Sequence, residues 1–134
     1  MTKLSEIEGI GDTYSSKLTN AGISSIESLL DNCCEKNGRR DLADRSGISE
    51  KRILEWVNRA DLTRVKGVST QYADLLEHAG VDTVPELAQR NAENLHHKMA
   101  ECNEQKHLVR KVPSLTQVKS WIEQAKTLPR KVTH

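Results

Sequence analysis

The sequence predicts an all-α protein built as a tandem repeat of one helical unit. Apolar residues recur at helical spacing, and no segment shows the sustained apolar–polar alternation of a strand. The stretch around Gly9 also returns, without gaps, around Gly67. A match of this kind, in which apolar residues replace apolar residues, indicates an internal repeat. We therefore predict one compact bundle with pseudo-two-fold symmetry, packed through the helices that carry Trp56 and Trp121.

The repeat begins with a glycine turn that leads into a helix. In the first copy, Gly9 and Gly11 stand on either side of Ile10. Glycine adopts positive φ at little cost and lets another part of the backbone come close. Asp12 or Thr13 is expected to cap the helix that follows. The backbone N–H groups at this helix start then point outward, and that geometry suits a phosphate.

Matching residues extend the repeat beyond the turn. Pairs at the same sequence offset as Gly9 and Gly67 include Tyr14 with Tyr72, Leu18 with Leu76, Ala21 with Ala79, and Leu29 with Leu87. Trp56 and Trp121 match at a larger offset, because the second copy has gained seven residues before its last helix. We predict repeat one over 1–62, repeat two over 63–129, and a loose basic tail over 130–134.

Apolar periodicity and capping signals place the elements in order, after a helical lead-in at 4–8. The predicted helices cover 12–21, 25–35, 39–45, 50–61, 70–79, 84–90, 92–106 and 115–127. Ser24 is expected to cap the second of these helices, with Glu27 reaching back to complete a capping box. Gly38 is expected to end that helix, and Pro113 to separate the last two.

Composition and charge narrow the class of protein. Hydrophobic residues make up 36% and charged residues 29% of the chain, which indicates a globular protein rather than a disordered one. No apolar run approaches the roughly 18 residues of a membrane span, and no apolar signal core follows Met1. We expect a cytoplasmic protein without a membrane partner. The net charge is +1, which argues against strong nonspecific binding of nucleic acid.

The second half of the chain is the more basic one. Residues 1–62 carry nine basic and eleven acidic side chains, whereas residues 63–134 carry eleven and eight. A polyanion should therefore prefer the second half. Residues 106–111 form a basic cluster there. This cluster is interpreted either as the amphipathic end of a helix or as part of a polyanion-binding face.

The turn and the helix after it resemble the helix-hairpin-helix motif, in which two glycines bracket one apolar residue. Ile7 to Gly11, followed by Leu18, fits that pattern, whereas the second copy has Ser69 in place of the last glycine. The motif implies sequence-independent binding to the DNA backbone through turn N–H groups and a nearby basic residue. The residues that correspond are Gly9, Ile10, Gly11 and Lys17 in repeat one, and Arg64, Lys66, Gly67, Val68 and Ser69 in repeat two.

The chain as a whole resembles a bacterial family catalogued as domain of unknown function 4332. Gly47–Lys51 and Trp56–Leu62 carry that resemblance, which covers nearly the full length. It implies the fold class and no particular activity.

The two turns differ in charge. Glu8 and Asp12 flank the first turn and repel phosphate, which leaves Lys17 as its close cation. Arg64 and Lys66 flank the second turn, and the Ser69 hydroxyl can donate a hydrogen bond. The second turn is therefore the better candidate.

Other chemistry is weakly represented. No paired carboxylates in a cleft, nucleophile motif or P-loop is present, so we expect no enzyme, cofactor or small-molecule substrate. His97 and Cys102 share a helix but stand five apart, which does not favour a metal site. The three cysteines are expected to be free thiols. Two functions remain. We favour weak, sequence-independent nucleic-acid binding, and the alternative is a protein-interaction adaptor that binds no nucleic acid.

Overall fold

Every regular element in residues 3–7 and 9–133, the part of the chain that the computed structural model describes, is helical. A 3₁₀ turn at Leu4–Glu6 comes first. The α-helices that follow are α1 (Asp12–Asn20), α2 (Ile26–Cys33), α3 (Lys36–Ser46), α4 (Glu50–Leu62), α5 (Thr70–His78), α6 (Val84–Ala88), α7 (Ala92–Lys106) and α8 (Leu115–Thr127). The all-α prediction is confirmed, and α7 and α8 have the predicted bounds.

The chain divides into two compact units, each with its own hydrophobic core. Unit 1 comprises Met1–Asp61 and Lys131–His134, and unit 2 comprises Leu62–Arg130. The division falls one residue before the predicted repeat boundary, because Leu62 is fully buried in the core of unit 2. The single bundle with pseudo-two-fold symmetry stays a prediction.

Each core is built around one tryptophan. Trp56 of α4 is 1% exposed and Trp121 of α8 is 2% exposed, so both are core anchors as predicted. Trp56 shares its core with Ile10, Leu18, Leu29, Leu42, Ile53 and Val132. Trp121 shares its core with Val65, Leu76, Val84, Leu87, Leu95 and Val118.

The prediction of a loose tail over 130–134 is wrong for residues 131–133, whereas His134 lies outside the described residues. Val132 is 2% exposed and belongs to the core of unit 1. The Thr133 N–H donates to the Cys34 carbonyl at 2.8 Å. We call Lys131–Thr133 the strap. The basic composition predicted a solvated segment, whereas the buried Val132 side chain anchors this segment to unit 1.

Three local predictions about helix ends also need correction. The α2 cap is Ser25, whose hydroxyl accepts from Ser28 N at 3.0 Å, rather than Ser24. The residue before α1 is Gly11, so neither Asp12 nor Thr13 caps this helix. Gly38 lies inside α3 instead of ending α2, and a Cβ there would stand 2.0 Å from the Asn32 carbonyl oxygen. Close packing of α3 on the end of α2 therefore requires a glycine.

In both units an arginine side chain caps the C-terminal end of the helix that follows the glycine turn. In unit 1 the Arg45 guanidinium donates to the carbonyl of Ala21. In unit 2 the Arg90 guanidinium donates to the carbonyl of Ala79 at 2.8 Å. The two arginines lie closer together in sequence than the two alanines do. A comparison of the two copies at one fixed sequence offset therefore does not pair Arg45 with Arg90.

The cysteines are free thiols, in line with the sequence prediction. Burial raises the pKa of the Cys33 thiol to about 11, because the thiolate would lose its hydration in the core of unit 1. Within the described residues, no helix is long and apolar enough to cross a membrane.

Candidate nucleic-acid interface

The two glycine turns share a backbone hydrogen bond and a glycine of positive φ. In the first, Ile10 N donates to Ile7 O at 3.1 Å, and Gly9 has φ +92°. In the second, Val68 N donates to Val65 O at 3.0 Å, and Gly67 has φ +97°. A glycine at the third position of a four-residue turn with positive φ is typical of a type II turn. These two glycines are required because side-chain-bearing residues rarely adopt this φ.

An indole ring lies directly against each turn. A Cβ built on Gly9 would be 3.6 Å from Trp56 Nε1, and one built on Gly67 would be 3.0 Å from Trp121 Nε1. A tyrosine from the helix after the turn packs on each indole, with ring centroids 5.2 Å apart in unit 1 and 5.4 Å apart in unit 2. Tyr14 and Tyr72 are thus half-buried behind their turns.

In unit 2 the turn is also held by a side chain of α8. The Gln124 amide accepts from Lys66 N at 3.0 Å and donates through Nε2 to Lys66 O at 3.2 Å. Val68 N already donates within the turn. Two of the four predicted backbone donors, Lys66 and Val68, are therefore occupied. No acceptor is found within the described residues for the N–H groups of Gly67 and Ser69.

Ser69 caps α5, and a hydroxyl that accepts a hydrogen bond can still donate one. Its hydroxyl accepts from Tyr72 N at 3.2 Å. Its backbone has φ −78° and ψ 173°, close to the φ −84° and ψ −174° of Gly11 in the first turn. This conformation is extended, so no glycine is needed at either position. The departure of Ser69 from the motif does not change the turn and adds a helix cap.

Substitution of Ser69 by alanine is expected to lower the free energy of unfolding by about 1 kcal/mol, because the Tyr72 N–H loses its acceptor. Ser69→Gly is the matched control. It should cost only a few tenths of a kcal/mol, since glycine leaves the helix start open to water. Urea denaturation of the two variants measures both values, and equal losses would contradict the capping role.

The predicted cations of the turns have different surroundings. Lys66 is exposed. The Arg64 guanidinium donates to the Pro129 carbonyl at 3.1 Å, which holds it against the end of unit 2. Lys17 Nζ lies 5.8 Å from the Tyr14 ring centroid, and the Arg52 guanidinium lies 5.1 Å from the same centroid. Arg52 is a cation near the first turn that sequence reasoning missed, because it comes from α4.

Glu8, which the sequence places beside the first turn as a repelling charge, lies outside the described residues. Its counterpart in the second copy of the repeat is Lys66. The charge comparison between the two turns therefore stays a prediction for the first turn.

A groove in unit 2 connects the start of α5 with the basic cluster. It has a volume of about 600 Å³ and is lined by Ser69, Gln71, Tyr72 and residues 107–111. The Tyr72 hydroxyl donates to the Lys111 carbonyl at 3.2 Å, which holds the loop against α5. Val109 is buried and anchors the loop, while His107, Arg110 and Lys111 are exposed.

Residues 107–111 of the basic cluster form a loop rather than the end of an amphipathic helix. Helix α7 ends at Lys106, and His107 follows with φ 52° and its N–H bonded to Asn103 O at 2.8 Å. The Asn103 side chain then accepts from Val109 N at 2.9 Å. These bonds turn the chain back, and Arg110 and Lys111 then line a groove with Ser69 at the start of α5. The sequence alone left this placement open.

Metal binding gains no support from side-chain geometry. No group of three or more His, Cys, Asp or Glu residues suited to a metal ion occurs among the residues that the structure describes. His97 pairs with Glu101 at 2.7 Å, and the Cys102 thiol contacts the His78 carbonyl at 3.4 Å.

Residues 8–128 match the model of the family described as Domain of unknown function (DUF4332). No match was found among curated proteins. No solved structure matches either.

Proposed function

This chain belongs to the DUF4332 family, and because that description states no activity, we propose a function from the geometry of unit 2. The protein is a non-catalytic helix-hairpin-helix module that binds the phosphate backbone of nucleic acid weakly and without sequence preference. The second turn and the groove beside it make the main contact. The first turn, through Gly9, Ile10, Gly11 and Lys17, makes at most a secondary one.

One observation carries this proposal. The loop 107–111 stands beside the start of α5, so exposed Arg110 and Lys111 share a groove with Ser69. Exposed Lys66 stands three residues earlier in the same turn. Two cations thus line a groove at a helix start whose partial positive charge also favours an anion, and a third precedes that start in sequence. Basic residues from two segments far apart in sequence thus lie near the start of α5, as a polyanion site needs.

The chemistry of the donors favours phosphate over bases. The Gly67 and Ser69 N–H groups and the Lys66 ammonium donate to oxygen acceptors without regard to base identity. Gly67 has no side chain, so a phosphate can approach its N–H closely. Such contacts place a duplex on the surface but carry no information about sequence.

Binding is expected to be weak and sensitive to salt. Contacts of this kind have dissociation constants of roughly 10⁻⁴–10⁻⁶ M at physiological salt. The slope of log K against log salt should be on the order of −2 to −4, because each neutralised phosphate contributes about −0.9. Fluorescence anisotropy with two duplexes of unrelated sequence measures both quantities. Equal affinity for the two duplexes supports backbone recognition.

Reversal of one charge in the turn provides the decisive variant. Lys66→Glu is expected to abolish measurable duplex binding, because it places a carboxylate beside the phosphate. Lys98→Glu is the matched control. It makes the same change in net charge, but Lys98 lines a separate hollow with Ala79 and Gln89. The control should change affinity by no more than about twofold, since salt screens distant charges.

The low-salt limit separates this function from its alternative. Electrostatic binding is strongest at about 20–50 mM salt. If no duplex binding is measured there and Lys66→Glu has no effect, the nucleic-acid function is refuted. The protein would then be an interaction adaptor, as the second interpretation of the sequence holds.

A further inference from the structure

The strap is bound to unit 1 by hydrogen bonds of its main chain as well as by side-chain contacts. The Arg39 guanidinium, on a side chain only 4% exposed, donates to the carbonyls of Cys33 at 3.0 Å and Thr133 at 2.6 Å. Thr133 N donates back to Cys34 O at 2.8 Å. These bonds join main-chain groups of the strap to a buried arginine and to the end of α2.

Side chains of the strap add selectivity to this main-chain docking. Val132 fills a position in the core of unit 1 and is 2% exposed. Lys131 Nζ lies 2.9 Å from Asp31 Oδ1. Proteins recognise an extended peptide in a similar way. Main-chain hydrogen bonds provide the affinity, and contacts to the side chains of the peptide provide the selectivity. Unit 1 therefore has a socket for a basic residue followed by a β-branched apolar residue.

We propose that this socket also accepts the strap of a second copy of the chain, which produces a dimer by reciprocal exchange. The occupant in the structure is a segment of the same sequence, so every contact would be identical within one chain and between two. Only residues 128–130 separate the strap from the end of α8, and no helix has to unfold for the strap to leave. Exchange of the strap requires no nucleic acid.

The balance between the two forms follows from effective concentration. A strap on a short linker meets its own socket at an effective concentration on the order of millimolar. The wild-type chain is therefore monomeric at micromolar concentration. Exchange becomes visible there only when the contact within one chain is weakened and the contact between chains is not.

Exchange of the charges in the surface pair of Asp31 and Lys131 meets that condition. Asp31→Lys places a lysine opposite Lys131, and Lys131→Asp places an aspartate opposite Asp31, so each variant repels its own strap. In an equimolar mixture, each socket finds a complementary strap on the other variant. Both side chains are partly exposed, so neither substitution disturbs the core. The mixture should dimerise about two- to thirtyfold more tightly than the wild type, a range set by two restored surface pairs per dimer.

Sedimentation velocity on the two variants, alone and mixed, measures the effect. Each variant alone should be monomeric, as should the double variant Asp31→Lys/Lys131→Asp, whose pair is restored within one chain. Adding Val132→Asp to both members of the mixture should abolish the dimer, because neither strap can then enter the apolar pocket. A mixture that stays monomeric would overturn the proposal, and so would a dimer that survives Val132→Asp.

Discussion

Replacement of Trp56 or Trp121 by alanine is expected to lower the free energy of unfolding by about 3–5 kcal/mol in each case, as large-to-small changes in a core do. Each indole is at least 98% buried and touches a tyrosine ring on one side and a glycine turn on the other. Alanine would leave a cavity beneath the turn as well as in the core. The helix after the turn would lose its anchor.

Urea denaturation followed by circular dichroism measures the loss, with phenylalanine at each position as control. Phenylalanine refills most of the volume and should recover much of the stability, since volume-conserving changes in a core are tolerated best. If both alanine variants lose less than about 1 kcal/mol, the rings are exposed in solution. They would then be candidates for a partner site.

Substitution of Gly67 by valine is expected to cost on the order of 3 kcal/mol and to abolish duplex binding. The φ of +97° is strained for any residue with a side chain, and most for a β-branched one. The added Cβ would also stand 3.0 Å from Trp121 Nε1, so the indole would have to move. The valine side chain would crowd the N–H group that we assign to phosphate.

Two other glycines provide matched controls. Gly9→Val meets the same φ penalty but a wider gap, with its Cβ 3.6 Å from Trp56 Nε1, and should cost less than Gly67→Val. Gly11→Ala should be neutral or slightly stabilising, because Gly11 has φ −84° and nothing lies within 4 Å of its added Cβ. Equal losses at Gly67 and Gly11 would contradict the turn geometry described above.

Local pattern in the sequence determined the helical class, most helix bounds and the tryptophan anchors. Helices α7 and α8 begin and end where capping residues and apolar spacing predict. At the start of α8, for example, Ser114 and Gln117 form a capping box within one turn of helix. Such signals act over three or four residues and can be read without the fold. The turns at Gly9 and Gly67 were predicted for the same reason.

Only the tertiary structure decided what surrounds the second turn and what covers unit 1. Gln124 holds Lys66 from 58 residues away, and Tyr72 holds the Lys111 loop from 39 residues away. Thr133 bonds to Cys34 across 99 residues. Contacts between such distant residues produce no periodic pattern in the sequence, because each of them depends on how whole helices pack. The sequence therefore predicted the turn, whereas the fold placed Arg110 and Lys111 in a groove at the start of α5 and the strap in its socket.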